Sequence, residues 1–312
     1  MKRRKIIKLG MAATVSGLLA SSREYSGNGR LDSEAILQFG VVADPQYANV
    51  DSVGTRYYRN SIAKLASAIE TFNKLQLDFV VTLGDVIDRD FQSFDAVMPL
   101  YEKCKHETRF VLGNHDFSVD DSMKAAVGEK LGLNKNWFAE TKCGVKLIYL
   151  DGTDVSLYRD SRKSDVFRKA TQLSEKLKKQ GRKHIHGYNS AVGDRQLQFL
   201  KDELAASEKL NEPVIIFCHF PVMPLGAGHN LWNDAELVEI IKTCPNVVAY
   251  MNGHKHRGGY VESNDTHFLN FKGMVETEKD NAYAVVSVFA DRIEVVGEGL
   301  EPKRKLVVKQ RD

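Results

Sequence analysis

Apolar residues along this chain gather into short continuous runs, at 36–43, 79–83, 109–112, 145–150, 214–218 and 247–251. A strand with one wet face alternates apolar and polar residues, so these unbroken runs predict strands covered on both sides. Longer amphipathic stretches lie between them. Residues 57–75 place Ile62, Leu65, Ala66 and Ile69 at helical spacing, and 195–210 does the same with Leu197, Leu200 and Leu204 after a Gly193-Asp194 start. Both predict helices, as does 235–243. After Gly253 the pattern shortens to "YVES", "THFLNF", "AYAVVSVFA" and "RIEVVGEG", broken by Asn-Asp and Ala-Asp pairs, which predicts antiparallel hairpins. Residues 117–192 follow the alternation least well and include the charged helical piece "RKSDVFRKATQLSEKLKKQG". The pattern predicts one α/β domain over 35–312 with an inserted segment at about 117–192.

Composition changes this picture mainly at the amino terminus. The 312 residues are 43% hydrophobic, enough to bury a large core. The formal charge of +3 is dominated by Lys2, Arg3, Arg4, Lys5 and Lys8; without these five the remainder stands at −2. A near-neutral body lacks the concentrated basic face that non-specific nucleic-acid binding requires, so nucleic acid is excluded as an expected partner. The basic start, the uncharged run 9–20 and the small polar residues after it form a secretory pattern over 1–22. Twelve uncharged residues are too few to span a bilayer, so stable membrane insertion is not expected. Arg3-Arg4 followed by Ile6-Ile7-Lys8 looks like a twin-arginine signal, which predicts export, to a periplasmic or cell-envelope location. A disordered basic tail on a cytoplasmic protein is the plainer reading. Cys104, Cys143, Cys218 and Cys244 form no C-x-x-C pair and indicate neither a disulfide framework nor a zinc knuckle.

The chemistry-bearing residues collect where the predicted strands end. Asp44-Pro45-Gln46, Gly84-Asp85, Gly113-Asn114-His115-Asp116, His219 and Gly253-His254-Lys255-His256 each follow an apolar run. Ligands in open α/β sheets bind outside the carboxyl ends of strands, so five such ends carrying Asp, Asn and His point to one shared site. Gly84, Gly113 and Gly253 stand just before the polar residues, where a glycine lets the backbone turn sharply. Taken singly each feature is ordinary: a buried histidine, a Gly-Asp turn, an Asn-His cap. As an ordered set of carboxylates, amides and imidazoles they suit divalent metals such as Mn, Fe, Zn, Co or Mg.

The set D-x-Q, G-D, G-N-H-D, H, G-H-x-H resembles the calcineurin-like metallophosphoesterase superfamily. The resemblance implies a four-layer αββα sandwich with mixed sheets and a two-metal site. Asp44 and His256 would hold the first ion, Asp85 would bridge, and Asn114, His219 and His254 would hold the second. The paired ions would share a hydroxide that attacks phosphorus. His115 would act on the phosphoryl oxygens or the leaving group, with Asp116 as its orienting partner. Asp88 occupies the position where purple acid phosphatases carry a tyrosine, which argues against a ferric-tyrosinate centre.

Gln46 stands where this superfamily usually has histidine. Either the site has decayed, or the amide oxygen is itself a ligand that favours harder ions such as manganese. D-x-Q together with "GTRYYRNS", "GYNSAVGDRQLQFLKDEL", "HFPVMP", "GHKHRGGY" and "NFKGMVET" resembles the manganese-dependent ADP-ribose/CDP-alcohol diphosphatases. That resemblance implies two Mn²⁺ ions and a small nucleotide substrate. The pyrophosphate of ADP-ribose, CDP-choline or CDP-glycerol would be cleaved to a nucleoside monophosphate and a phosphorylated alcohol or sugar. Arg56, Arg59 and Arg257 are then candidates for phosphate contacts, and Tyr188, Asn189 and Trp232 for base or ribose contacts. Surface arginines and packing aromatics are the plainer reading of these six. Another phosphodiesterase or phosphomonoesterase of the superfamily, or a non-catalytic scaffold, are the alternatives.

Overall fold

A computed structural model describes residues 34–309, so the expected export segment 1–22 lies outside the described residues. The strands are β1 (Leu37–Val42), β2 (Phe79–Thr82), β3 (Thr108–Phe110), β4 (Phe138–Lys142), β5 (Val145–Tyr149), β6 (Val214–Phe217), β7 (Val247–Asn252), β8 (Gly259–Ser263), β9 (Thr266–Asn270), β10 (Ala282–Val288), β11 (Arg292–Gly299) and β12 (Arg304–Val307). The α-helices are α1 (Ser61–Phe72), α2 (Ser93–Tyr101), α3 (Val127–Lys130), α4 (Asp165–Lys179), α5 (Asp194–Leu210) and α6 (Asp234–Thr243). Two six-stranded mixed sheets result, in the orders β12-β11-β10-β1-β2-β3 and β4-β5-β6-β7-β9-β8.

Four of the six continuous apolar runs have the predicted consequence, while the run at 109–112 forms edge strand β3, whose Thr108 and Arg109 are only partly buried. Every residue of β1, β2, β6 and β7 is buried, because each sheet is covered on one face by the other sheet and on its other face by helices. Between the sheets, Phe39 stacks on Phe79 at 4.8 Å and meets Phe217 edge-on at 5.6 Å. Truncating such a ring to alanine costs about 3–5 kcal/mol. Leu65, Ile69 and Phe72 of α1 pack with Phe94 and Val97 of α2 outside the first sheet. Leu197, Leu200 and Leu204 of α5 pack with Leu237 and Ile241 of α6 outside the second. This is the four-layer αββα sandwich.

Two local readings shift. The buried stripe of α1 includes Lys64, whose ammonium donates to the carbonyls of Met274, Glu276 and Thr277 at 2.6–3.0 Å. A buried cation is tolerable there because three acceptors replace its water. The segment 117–192 is only partly an insertion: it supplies β4 and β5, and β5 pairs in parallel with β6 inside the second sheet. Only α3, α4 and their loops stand apart from the sheets. Ser164 caps α4, its hydroxyl accepting the Phe167 N–H at 3.1 Å. The hairpins also form, with Asn264 and Asp265 both at positive φ in the turn from β8 to β9. Among the described residues no helix is long and apolar enough to cross a membrane.

Candidate metal centre and cleft

The first sheet delivers Asp44 and Gln46 after β1, Asp85 after β2, and Asn114 and His115 after β3. The second delivers His219 after β6, and His254 and His256 after β7. These loops bend sharply to meet one another. Asp44, Gln46, Asp85 and His254 all adopt positive φ, between 47° and 65°, four of the ten non-glycine residues that do so among those described. Such backbone costs on the order of 1–3 kcal/mol per residue and persists where the surroundings over-determine it. The glycines work mainly by their size. A Cβ on Gly253 would lie 2.6 Å from Asp44 Oδ2, and one on Gly113 would collide with Asp85. Only Gly84 among the three also needs its left-handed φ, of 84°.

Two groups of donor atoms emerge, each with its atoms within 4.8 Å of one another: Asp44, Asp85 and His256, and Asp85, His219 and His254. Asp85 belongs to both. Asn114 Oδ1 joins the second group, 3.2 Å from His219 Nε2. Gln46 is fully buried, and neither its Oε1 nor its Nε2 has a hydrogen-bond partner. A buried primary amide left with nothing costs several kcal/mol. This orphaned amide, on a residue whose backbone N–H donates to the Asp85 carbonyl at 2.7 Å, fits a divalent cation. Nothing in the donor set argues against one.

The surroundings orient each imidazole. The second nitrogen of His219 (Nδ1) lies 2.7 Å from the Leu83 carbonyl, that of His254 (Nε2) lies 3.0 Å from Asn189 Oδ1, and that of His256 (Nδ1) lies 2.7 Å from Glu276 Oε1. Outer partners of this kind set the tautomer and aim of metal-binding histidines. Lys64, by gripping the 274–277 carbonyls, fixes the loop that carries Glu276. The buried carboxylates draw positive charge towards themselves. Burial alone would lower His219 and His256, yet Asp85 and Asp44 respectively raise them to about 9. Burial likewise would raise Asp85, but the His219, His115 and His254 imidazoles hold it well below the usual carboxylate range.

Several expected roles are relocated. Asp116 does not orient His115. Its carboxylate accepts the backbone N–H groups of Asp85, Val86, Ile87 and Gly113 at 2.7–3.2 Å, which makes it the anchor of the Asp85 turn. The partner of His115 is Asp88, whose Oδ1 stands 3.1 Å from His115 Nδ1. Asp88 is 2% exposed and His115 22%, so the pair sits at the boundary between floor and solvent. Arg59 turns away to Asp51 and Asn49. Trp232 is fully buried, its indole N–H donating to the His186 carbonyl, and cannot touch a substrate. Asn189 is also fully buried and serves His254. Tyr188 remains 44% exposed, stacked on His186 at 5.1 Å and facing the His254 ring at 5.9 Å.

Beside His254 and His256 opens a cleft of about 620 Å³, lined also by Arg56, His229, Lys255, Arg257, Lys272 and Glu276. Asp88, Asn189, Glu276 and Lys64 were missed as supports by sequence reasoning. The partners of the first three lie 27, 65 and 20 residues away, beyond any local pattern.

A two-sheet α/β sandwich with a carboxylate–imidazole metal centre at its strand ends defines a class of metal-dependent phosphoester hydrolases. The calcineurin-like phosphoesterase family profile matches residues 37–258, and the chain belongs to that family. It is a metal-dependent phosphoesterase. The manganese-dependent ADP-ribose/CDP-alcohol diphosphatase of Xenopus tropicalis is 27% identical over 324 residues, covering 88% of this chain and 94% of that protein. The enzyme of the same description from Mus musculus is 28% identical over 325 residues, covering 90% and 96%. Among solved structures, a dimetal phosphatase from Danio rerio superposes with a TM-score of 0.79 at 23% identity, covering 88% of this chain and all of that one.

Proposed function

We propose that this chain hydrolyses the pyrophosphate bond of nucleoside diphosphates linked to a small alcohol or sugar, of the ADP-ribose or CDP-choline/CDP-glycerol type, using two divalent ions, with Mn²⁺ preferred. The observation that carries the reading is the cleft. It opens directly on His254 and His256 and holds Arg56 and Arg257, neither ion-paired among the described residues. One phosphoryl group would lie over the metal centre while the guanidinium groups take the other. The near full-length similarity to the diphosphatases above supports the substrate class, and the buried Gln46 amide supports a hard ion.

Asp44, Gln46 and His256 would hold one ion, Asn114, His219 and His254 the other, and Asp85 both. The ions would supply Lewis-acid polarisation of phosphoryl oxygens and an activated water. The protein's own part falls to His115. Asp88 Oδ1 stands 3.1 Å from His115 Nδ1 on one side of the ring, and Nε2 on the other is left for the substrate. A proton on Nε2 would be donated to a phosphoryl oxygen or to the leaving group. Tyr188 offers an exposed ring at the mouth for a base or sugar.

A hydrolysis screen with Mn²⁺ over CDP-alcohols, ADP-ribose, cyclic nucleotides and an aryl phosphate tests the assignment. Pyrophosphate substrates should lead by at least tenfold in kcat/KM; a lead by cyclic nucleotides or the aryl phosphate overturns it. We also propose that residues 1–22 direct export of the folded enzyme. Replacing Arg3 and Arg4 together by lysine should retain it in the cytoplasm, and unchanged export would refute the signal.

A further inference from the structure

The cleft holds more positive charge than a pyrophosphate uses. Four cationic side chains line it, Arg56, Lys255, Arg257 and Lys272, and none forms an ion pair among the described residues. Some lysines elsewhere pair, as Lys124 with Asp121, Lys130 with Asp95 and Lys242 with Glu239, and others such as Lys176 and Lys178 are simply exposed. The cleft differs in gathering these four cations in one concavity. The acid of the cleft, Glu276, is engaged by His256 at 2.7 Å. Lys255 and Lys272 converge on one turn. A Cβ on Gly259 would lie 3.8 Å from Lys255 Nζ, and one on Gly258 would press to 2.9 Å from Lys272 Cγ. The consecutive glycines let the two lysines lie against the turn, both half-buried. Concentrated, uncompensated cations in a concave site attract anions.

Resting on the pyrophosphatase reading above, we propose that Lys255 and Lys272 form a subsite for an additional phosphomonoester on the substrate. The preferred substrate class is then a nucleoside diphosphate conjugate that carries a third phosphate on its ribose or alcohol part. A pyrophosphate diester has two negative charges, one for the metal centre and one for Arg56 and Arg257. The lysine pair is placed to take the dianionic monoester that such a conjugate adds.

The test compares matched substrates on the metal-loaded enzyme: ADP-ribose against ADP-ribose 2′-phosphate, and dephospho-coenzyme A against coenzyme A. In at least one pair the phosphorylated member should lead by roughly tenfold or more in kcat/KM, the scale of a charge-assisted contact. Lys272→Met and Lys255→Met keep the aliphatic stem and should each cut that lead to threefold or less, read as the ratio of the two substrates on one variant. Turnover of the unphosphorylated members with no lead in either pair overturns the subsite and leaves the pyrophosphatase reading standing. So does a lead that survives both variants. Failure to cleave any of the four, with CDP-choline and CDP-glycerol beside them also uncleaved, overturns the pyrophosphatase reading itself.

Discussion

The floor of the site and its mouth are built on opposite rules. On the floor nearly every polar group has an assigned neighbour: Leu83, Asn189 and Glu276 aim three imidazoles, and Asp116 ties down the Asp85 turn. Gln46 is an exception: neither atom of its amide has a hydrogen-bond partner among the described residues, which leaves its oxygen for an ion, as it does Oδ2 of Asp85. At the mouth the order is reversed. Arg56, Lys255, Arg257 and Lys272 form no ion pair among the described residues, and Tyr188 is exposed. A reaction centre needs donors held to a fraction of an ångström, so it is over-determined by packing and hydrogen bonds. A recognition surface keeps its charges unpaired so that the ligand completes them. The difference teaches that catalysis and specificity are separable in this molecule, and mutations should divide accordingly.

The largest effect belongs to the floor. Asp85→Asn removes the carboxylate shared by both donor groups and should abolish turnover and bound metal together. Elemental analysis beside a rate measurement checks this; activity above a tenth of wild type would contradict the shared role. His115→Ala comes next, with turnover on an alkyl phosphodiester falling by about 10²–10⁴ while metal content persists. Pyrophosphate substrates should suffer less, because a departing phosphate needs little protonation. Loss of metal in this variant would move His115 into the ligand set.

Gln46→His should give a smaller and qualitatively different change. The metal centre should survive with its preference shifted from Mn²⁺ towards Zn²⁺ or Co²⁺, since imidazole suits those ions better. Rates measured with each metal decide the matter, and identical profiles for variant and wild type would sink the ligand assignment. The mouth should respond most mildly. Arg56→Ala is expected to raise KM by about tenfold with kcat little changed, the loss of one charge-assisted contact. Arg59→Ala serves as its control, because that guanidinium is spent on exposed Asp51 in a pair that contributes at most about 1 kcal/mol. Equal effects from the two arginines would erase the distinction between mouth and surface.

Most of the floor is legible in the order of residues along the chain. Asp44, Asp85, Asn114, His219, His254 and His256 each follow an apolar run directly, and a strand followed by a turn is a local pattern that one-dimensional reading can detect. The supports are not legible in that way. Whether His115 meets Asp116 or Asp88 depends on how the turn after β3 lies against the turn after β2. Trp232 and Asn189 read as mouth residues because loops are usually exposed, yet both are fully buried against the 184–186 segment.

The two carboxyl-terminal hairpins draw the line most clearly. Runs of β-formers around Asn264-Asp265 and Ala290-Asp291 determine by themselves that each pair of strands folds back, because turn geometry is local. Nothing in either run determines its sheet. The first hairpin extends the second sheet through the parallel pairing of β9 with β7, and the second joins the first sheet through the antiparallel pairing of β10 with β1. Between Leu37 and its β10 partner Val288 lie some 250 residues. Closing so long a loop is favoured only when whole apolar faces are buried at once, so that choice belongs to the assembled core. The sequence therefore determined the chemistry carried to the end of each strand. Tertiary packing decided which ends meet, and with them the second nitrogen of every imidazole and the unpaired charges of the cleft.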